Sequence, residues 1–262
     1  MHVKGLMNMQ YAIENGKVYV LEANPRASRT VPLVSKVCNI RMVPLATEII
    51  TAELTGRPSP VPELKEQNIP NYGVKEAAFP FNMFQEVDPV LGPEMRSTGE
   101  VLGLSRSYGE AFFKAQEAVQ SKLPLEGTVL ISVNAKDRPE VTGIARSLSE
   151  DGFKIIATGS TYDLISSSGI PAEKVKKLYE GRPNILDMIT NGDIQLIINS
   201  PVGKESVHDD SYLRKAAIKA KIPYMTTIAA AKATADGIHY VKTHERSEVK
   251  SLQTLHSEIT DK

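Results

Sequence analysis

Hydrophobic and polar positions change their pattern about half-way along the chain. Up to residue 122 the pattern is irregular. Two strand-like runs flank Asn15-Gly16, which predicts a hairpin, and apolar residues at 34–37 and 43–54 have helical spacing. Prolines interrupt the next stretch, after which residues 73–81 predict a strand and residues 108–123 an amphipathic helix.

Beyond residue 122, strand-like and helical runs alternate regularly. This alternation predicts a parallel sheet with helices on both faces, and ligands of such sheets bind at the carboxyl ends of the strands. We therefore expect an α/β protein with two domains, residues 1–122 and 123–262, and an exposed amphipathic helix at residues 247–259. The predicted strands are 128–133, 154–157, 174–178, 194–199 and 223–226, and the predicted helices are 139–150, 162–168, 185–191, 212–220 and 229–235.

The amino-acid composition argues against several classes of function. Lys plus Arg and Asp plus Glu number 31 each, so the net charge is zero, which argues against a nucleic-acid partner. Cys38 is the one cysteine of the 262 residues, which excludes a disulfide framework and a cysteine metal cluster. The absence of a long apolar run argues against a membrane partner, and the first residues lack a signal-peptide pattern. We expect a reducing, cytoplasmic setting.

Three oxygen-bearing side chains lie near the predicted hairpin: Gln10, Glu22 and Asn24. Glu22 and Asn24 are two residues apart on one strand, so they share a face. A two-residue loop at Asn15-Gly16 would put Gln10 on the opposite face, whereas a three-residue loop from Glu14 to a left-handed Gly16 would put all three together. The second arrangement suits Mg²⁺, which prefers oxygen ligands.

Arg26 and Arg29 follow directly and are suited to holding phosphate or an acyl phosphate. The alternative is that Glu22-Ala23-Asn24-Pro25 is only a strand end followed by a turn, with solvated arginines. Spacing alone leaves both interpretations open.

Longer motifs favour the first interpretation. GLMNMQ (5–10) and VLEANPRASRTVP (20–32) resemble the last strand pair of the ATP-grasp domain of carbamoyl phosphate synthase large subunits. The motifs VSK (34–36), PFN (80–82), VDP (87–89) and LGPEMRSTGEV (91–101) also resemble that family. Asn-Pro-Arg alone is shared by many ATP-grasp ligases, but the longer stretch is much more specific.

The resemblance implies an ATP-dependent ligase that phosphorylates carbamate. Gln10, Glu22 and Asn24 would ligate the Mg²⁺ or Mn²⁺ of bound ATP, and the catalytic Arg26 and Arg29 would serve phosphates and carbamate. The implied partners are a glutaminase small subunit and the upstream part of the large subunit, which carries the rest of the ATP-grasp site. We expect the chain alone not to turn over ATP.

A second group of polar residues follows the predicted strands of residues 123–262. Thr158-Gly159-Ser160-Thr161 lies between a strand and a helix, where hydroxyls and amides can cradle phosphate. Lys177 and Asn199 end the next two predicted strands, and Lys136 and Arg138 follow the first. The alternative is that the hydroxyls are helix caps and the lysines a solvated stripe.

This part of the chain resembles a methylglyoxal-synthase-like regulatory domain. The matching residues are 132–133, 157–161, 180–183, 197–199 and 226–227. The resemblance implies that Thr158, Thr161, Lys177 and Asn199 hold the phosphate and ribose of UMP, an inhibitor, or IMP, an activator. Glu76 and Thr226 match two contacts of ornithine, another activator.

Two features complicate the choice of ligand and activity. The sequence departs from the UMP-regulated pattern at residues 200–202 and at Lys204-Glu205, so the effector is open. Methylglyoxal synthase is an alternative activity, because residues 207–209 resemble part of its active site and His208 could act as a general acid. That enzyme needs an aspartate base where this chain has residues 180–183. A third possibility is an effector-binding module without chemistry.

Overall fold

The computed structural model describes residues 2–60, 66–82, 94–200, 207–245 and 248–261. By contacts the chain divides into two compact units. The first comprises the residues up to Tyr72 together with those from Glu248 onward, and the second runs from Gly73 to Ser247. The domain division at residue 122, which rests on a change of sequence pattern, stays a prediction.

Strands and helices follow the predicted order closely. The strands are β1 (Asn8–Glu14), β2 (Lys17–Asn24), β3 (Gln67–Asn68), β4 (Tyr72–Ala78), β5 (Gly99–Ser105), β6 (Thr128–Val133), β7 (Lys154–Thr158), β8 (Glu173–Val175), β9 (Leu196–Ser200), β10 (Tyr224–Met225) and β11 (Thr260–Asp261). The helices are α1 (Thr30–Cys38), α2 (Met42–Leu54), α3 (Tyr108–Ala118), α4 (Arg138–Glu150), α5 (Gly159–Ser167), α6 (Ile185–Asn191), α7 (Val207–Lys219), α8 (Ile228–Thr243) and α9 (Leu252–His256).

The end of the chain differs from the prediction of a helix over residues 247–259. Only α9 is helical there, and Thr260 and Asp261 pair antiparallel with β3. Ser251 caps α9 by accepting the Thr254 N–H at 3.1 Å. The His256 ring lies 2.6 Å from the carbonyl oxygen of Lys36 on α1. Tertiary contacts with α1 and β3 therefore replace the longer exposed helix that the apolar spacing indicated.

The second unit contains a five-stranded parallel sheet in the order β10-β9-β6-β7-β8. Alternate side chains of its strands enter two separate cores, one shared with α4, α5 and α8 and the other with α6 and α7. The doubly wound prediction is confirmed. Because the chain moves outward from β6 in one direction and from β9 in the other, a crevice is expected between their carboxyl ends.

α3 and the β4–β5 pair belong to the same unit as this sheet. At the crossing of α3 and α8, a Cβ on Gly109 would lie 2.8 Å from the backbone of Asp236, and one on Gly237 would lie 2.8 Å from the Gly109 oxygen. Two glycines therefore let these helix backbones meet. The prediction missed β5 because Gly99 and Gly103 interrupt its alternation of apolar and polar residues.

Thr234 of α8 provides a stability test. It is fully buried, and its hydroxyl oxygen has no hydrogen-bond partner within the described part of the chain. Thr234→Val keeps the branched shape and removes that hydroxyl, so the free energy of unfolding should rise by about 1 kcal/mol in urea titrations. The control is Thr243→Val on the same helix, whose exposed hydroxyl donates to the His239 carbonyl at 2.7 Å and should give no gain. Equal effects of both substitutions would contradict the expectation.

Candidate functional site

The β1–β2 hairpin has a two-residue loop. Asn15 and Gly16 have φ values of 49° and 75°, and Glu14 pairs directly with Lys17. The three-residue loop proposed for a single metal-binding face is therefore wrong. Asn-Gly favours this turn because both central residues tolerate positive φ.

A β-bulge nevertheless places Gln10 on the same face as Glu22 and Asn24, which is the arrangement that the three-residue loop was expected to produce. Tyr11 pairs with Val20, but Gln10 pairs with Glu22, so Leu21 is the extra residue on β2. Such a bulge shifts the side chains beyond it by one position relative to the partner strand. No signal in the sequence indicated it.

As a result, Gln10, Glu22 and Asn24 share one face of the hairpin. Gln10 lies directly opposite Glu22, and the Asn24 side-chain amide donates to the Glu22 carboxylate. Gln10 and Glu22 are exposed and Asn24 is half-buried. These side chains offer one carboxylate and two amide oxygens. Mg²⁺ binds such oxygen ligands when phosphates and water complete its coordination.

Arg26 and Arg29 lie between the end of β2 and the start of α1, and both are exposed. Arg26 donates from its guanidinium to the Ala27 carbonyl at 3.1 Å. Arg29 directly precedes the first residue of α1. Both arginines therefore follow the strand that carries Glu22 and Asn24.

At the carboxyl end of the parallel sheet, a polar row replaces the apolar rows below it. Ser132 of β6 pairs in register with Asn199 of β9, and the Thr158 hydroxyl donates to the Ser132 hydroxyl at 2.8 Å. The Asn199 amide donates to the Tyr224 hydroxyl at 2.5 Å. Thr158 and Asn199 are buried, so this row is built into the sheet.

The start of α5 contacts the loop after β6. Thr158 precedes the helix but makes no side-chain capping bond, which contradicts its interpretation as a simple cap. The buried Thr161 hydroxyl accepts the Val133 N–H at 3.2 Å and lies 3.3 Å from the Val133 carbonyl. Arg138 donates from Nη2 to the Ser160 hydroxyl at 2.6 Å, which brings its charge to the helix start. Lys136, in the same loop, is exposed.

Lys177 lies beyond the third strand rather than at its end, because β8 stops at Val175. Its N–H donates to the Glu180 carboxylate at 2.8 Å, and its Nζ lies 5.9 Å from the centre of the Tyr179 ring. Lys174 is exposed, and its Nζ lies 3.7 Å from Asp163 and 5.6 Å from the centre of the Tyr162 ring. Both lysines therefore lie beside a tyrosine ring, and they differ in that Lys177 is half-buried.

Glu76 and Thr226 occupy separate elements of the second unit. Glu76 is on β4 and accepts the Gln116 side-chain amide of α3 at 3.0 Å. Burial raises the pKa of Glu76 more than the hydrogen bonds from Ala77 and Gln116 lower it. Thr226 is exposed just after β10.

Some predicted features fall outside the described residues. These are the motif residues 87–89 and 91–93, the departures at 201–202 and 204–205, and the side chain of His208. In the region where methylglyoxal synthase needs an aspartate base, the Arg182 guanidinium hydrogen-bonds to Asp187 and lowers the pKa of that carboxyl. The described residues also contain no cluster of three or more His, Cys, Asp or Glu side chains that could hold a metal ion.

Known proteins are similar to this chain in its parallel-sheet part and along nearly its whole length. Residues 140–226 match the family of the MGS-like domain. The chain is 46% identical over 255 residues to the carbamoyl phosphate synthase large chain of Gemmatimonas aurantiaca, covering 97% of this chain and 23% of that protein. The chain is homologous to the C-terminal part of this large chain.

Two further relatives support the assignment. The carbamoyl phosphate synthase large chain of Methanosarcina barkeri is 40% identical over 100% of this chain and 65% of its own length. The Aquifex aeolicus protein named as the C-terminal section of the large chain is 40% identical over 98% of this chain and 51% of its own length. The chain thus spans about a quarter to two thirds of these relatives. Among its described helices, none is long and apolar enough to cross a membrane.

Proposed function

We propose that this chain supplies the metal-binding end of an ATP site and the effector-binding domain of a carbamoyl phosphate synthase large chain. The observation that carries the proposal is the bulge at Leu21, which aligns Gln10, Glu22 and Asn24 on one hairpin face. Homology along the chain agrees with it. The full enzyme would work with a glutaminase small subunit in the cytoplasm.

At the hairpin, Gln10, Glu22 and Asn24 would hold the Mg²⁺ or Mn²⁺ that accompanies ATP. A bound divalent ion supplies charge that offsets the phosphate oxygens during phosphoryl transfer. The protein's own contribution is to fix the three oxygens on one face before the metal arrives. Arg26 and Arg29 would hold phosphate oxygens and carbamate through charge-assisted hydrogen bonds.

The other face of the hairpin is apolar and exposed, which supports the proposal that the ATP site needs more of the large chain than these residues. Tyr11 is paired with Val20, and Ile13 with Val18, and their exposed fractions are 55%, 57%, 75% and 63% in that order. A two-stranded hairpin is marginal by itself, and a continuous apolar face of this kind indicates a contact surface. We expect the remainder of the large chain to cover it and the 262 residues alone to be inactive toward ATP.

At the carboxyl end of the parallel sheet we propose a site for a nucleoside monophosphate such as UMP or IMP. Thr158, Thr161 and the start of α5 would meet phosphate, with Lys136, Arg138 and Lys177 supplying charge and Asn199 meeting the ribose. The Thr161 hydroxyl already bonds the backbone of Val133. We therefore expect Thr161 to hold the start of α5 in place as well as to meet phosphate.

Ornithine would occupy a separate position near Glu76 and Thr226. In the described part of the chain the half-buried Glu76 carboxylate is paired with the neutral Gln116 amide and with no cation, and a ligand ammonium group would supply the opposite charge. Gln116 joins this carboxylate to α3, which packs on α8 of the parallel-sheet core. We propose that α3 and β4 are the elements through which an effector favours one arrangement of the ATP site.

Calorimetric titration of the chain with UMP, IMP and ornithine tests the effector site. We expect one nucleotide to bind, and Lys177→Ala to weaken it by about 10-fold or more through loss of a charge-assisted phosphate contact. Lys174→Ala is the matched control because Lys174 is exposed and faces Asp163. Absence of nucleotide binding, or equal losses in both variants, would contradict the proposal.

A further inference from the structure

Asn134 connects the loop after β6 to the end of β9, across the crevice of the parallel sheet. Its backbone N–H donates to the Ser200 hydroxyl at 3.2 Å. Its side-chain amide donates to the same hydroxyl at 3.1 Å and to the Ser200 carbonyl at 3.3 Å. Asn134 was not among the residues selected from the sequence, because nothing in its neighbours distinguishes it from an ordinary turn residue.

The same side chain also organises the loop itself. Its Oδ1 accepts the N–H groups of Lys136 at 2.8 Å and of Asp137 at 3.2 Å. Its Nδ2 donates to the Asp137 carboxylate at 2.7 Å. Both ends of one amide are therefore used, and these hydrogen bonds brace the loop that leads into α4.

The Asp137 carboxylate would weaken anion binding at Arg138, because Asp137 directly precedes Arg138 in the chain. Arg138 nevertheless forms no ion pair with Asp137 in the part of the chain that the structure describes. Its Nη2 donates to Ser160, and its buried Nε has no partner there. The Asp137 carboxylate is instead held by Asn134.

We propose that Asn134 is a positioning residue that withholds the Asp137 carboxylate from Arg138 and so keeps the guanidinium available to a phosphate group. The proposal rests on the effector site proposed above. Without the Asn134 amide, the Asp137 carboxylate would be free to turn toward the guanidinium of the next residue and pair with it, because opposite charges attract at a half-buried position. An incoming phosphate would then compete with Asp137.

The test uses Asn134→Ala, the double variant Asn134→Ala/Asp137→Asn, and Ser200→Ala, each titrated with inorganic phosphate and with IMP. Asn134→Ala should weaken phosphate about fivefold, the scale of one competing ion pair. Adding Asp137→Asn should restore the affinity, because the competing charge is gone. A purely structural role for Asn134 would not be repaired by changing Asp137. Ser200→Ala removes the two contacts to the Ser200 hydroxyl but leaves those to the Ser200 carbonyl and to Asp137, so its effect should stay below about twofold.

A second measurement tests the positioning role without any ligand: the rate of hydrogen exchange at the Arg138 Nε–H, followed by NMR. Asn134→Ala should change the exchange rate several-fold and Asp137→Asn should reverse the change. An unchanged rate in Asn134→Ala, or a loss without rescue in the double variant, overturns the positioning role. If the unaltered chain binds neither phosphate nor IMP while the exchange rate responds and is rescued, the positioning role stands and the effector site fails. A loss in Ser200→Ala equal to that in Asn134→Ala assigns the effect to the β9 contact and also overturns the proposal.

Discussion

Gly103→Ala is expected to lower the free energy of unfolding of the second unit by about 3–5 kcal/mol. A Cβ at residue 103 would lie 1.9 Å from the carbonyl oxygen of Ala111 and 2.8 Å from the backbone nitrogen of Ala115. Both atoms belong to the α3 backbone, which cannot give way without moving the helix off β5. The cost is therefore strain and lost packing rather than a local rearrangement of a side chain.

Urea unfolding measures this effect, and two other glycines provide controls. Gly99→Ala is in the same strand, and its Cβ would lie 4.0 Å from the Ala78 Cβ, which is ordinary contact. Gly143→Ala is inside α4 with no atom within 4 Å, so it should stabilise by about 0.5–1 kcal/mol through helix propensity. A loss at Gly103 no larger than that at Gly99 would show that α3 and β5 are not in close contact in solution.

Because Gln116 of α3 donates to Glu76, the same substitution should reach the proposed ornithine site. A displaced α3 would remove the hydrogen bond that orients the Glu76 carboxylate. Ornithine affinity should therefore fall in Gly103→Ala at temperatures where the chain is still folded, while Gly99→Ala leaves it unchanged.

Glu22→Ala should reduce carbamate phosphorylation by more than about 100-fold when the chain forms part of an assembled large subunit with its small subunit. Removing hydrogen-bonding partners of metal ligands already costs about 10–100-fold, and Glu22 is the one carboxylate of the three proposed ligands. Its loss removes the charge that attracts the divalent ion. The measurement is ATP turnover at increasing Mg²⁺ and Mn²⁺, and part of the loss should be recovered at high metal concentration.

Glu14→Ala is the matched control for Glu22→Ala. Glu14 is an exposed glutamate on the same hairpin, paired with Lys17 and an even number of residues from Gln10, so it lies on the same face. It removes the same charge from the same surface but not from the proposed metal-ligand set. Equal metal dependence in both variants would indicate a general electrostatic effect and would contradict metal ligation by Glu22.

Local patterns in the sequence determined the architecture of the second unit. Strand–helix alternation after residue 122 predicted the parallel sheet, because each buried strand and amphipathic helix carries its own periodicity of apolar residues. The order of the elements also predicted which residues lie at the carboxyl ends of strands, and Thr158 and Asn199 do lie there. The motif around Glu22-Ala23-Asn24-Pro25 predicted homology to the carbamoyl phosphate synthase large chain, and such a large chain is 46% identical over 97% of this chain.

Tertiary structure alone decided the features that depend on partners distant in sequence. The local sequence does not predict the bulge at Leu21, because a strand that carries one extra residue has the same kinds of residues as a regular strand. The replacement of a terminal helix by the short α9 and by pairing of β11 with β3 has the same origin, since its competing contacts lie about 200 residues away in the chain. The roles of Gly103 and Asn134 likewise exist only because folding brings α3 onto β5 and the end of β9 beside the loop after β6. The periodicity of apolar residues indicates which side of a helix or strand is buried. Strand register, close backbone approach and side-chain hydrogen bonds depend on which other element packs against that side.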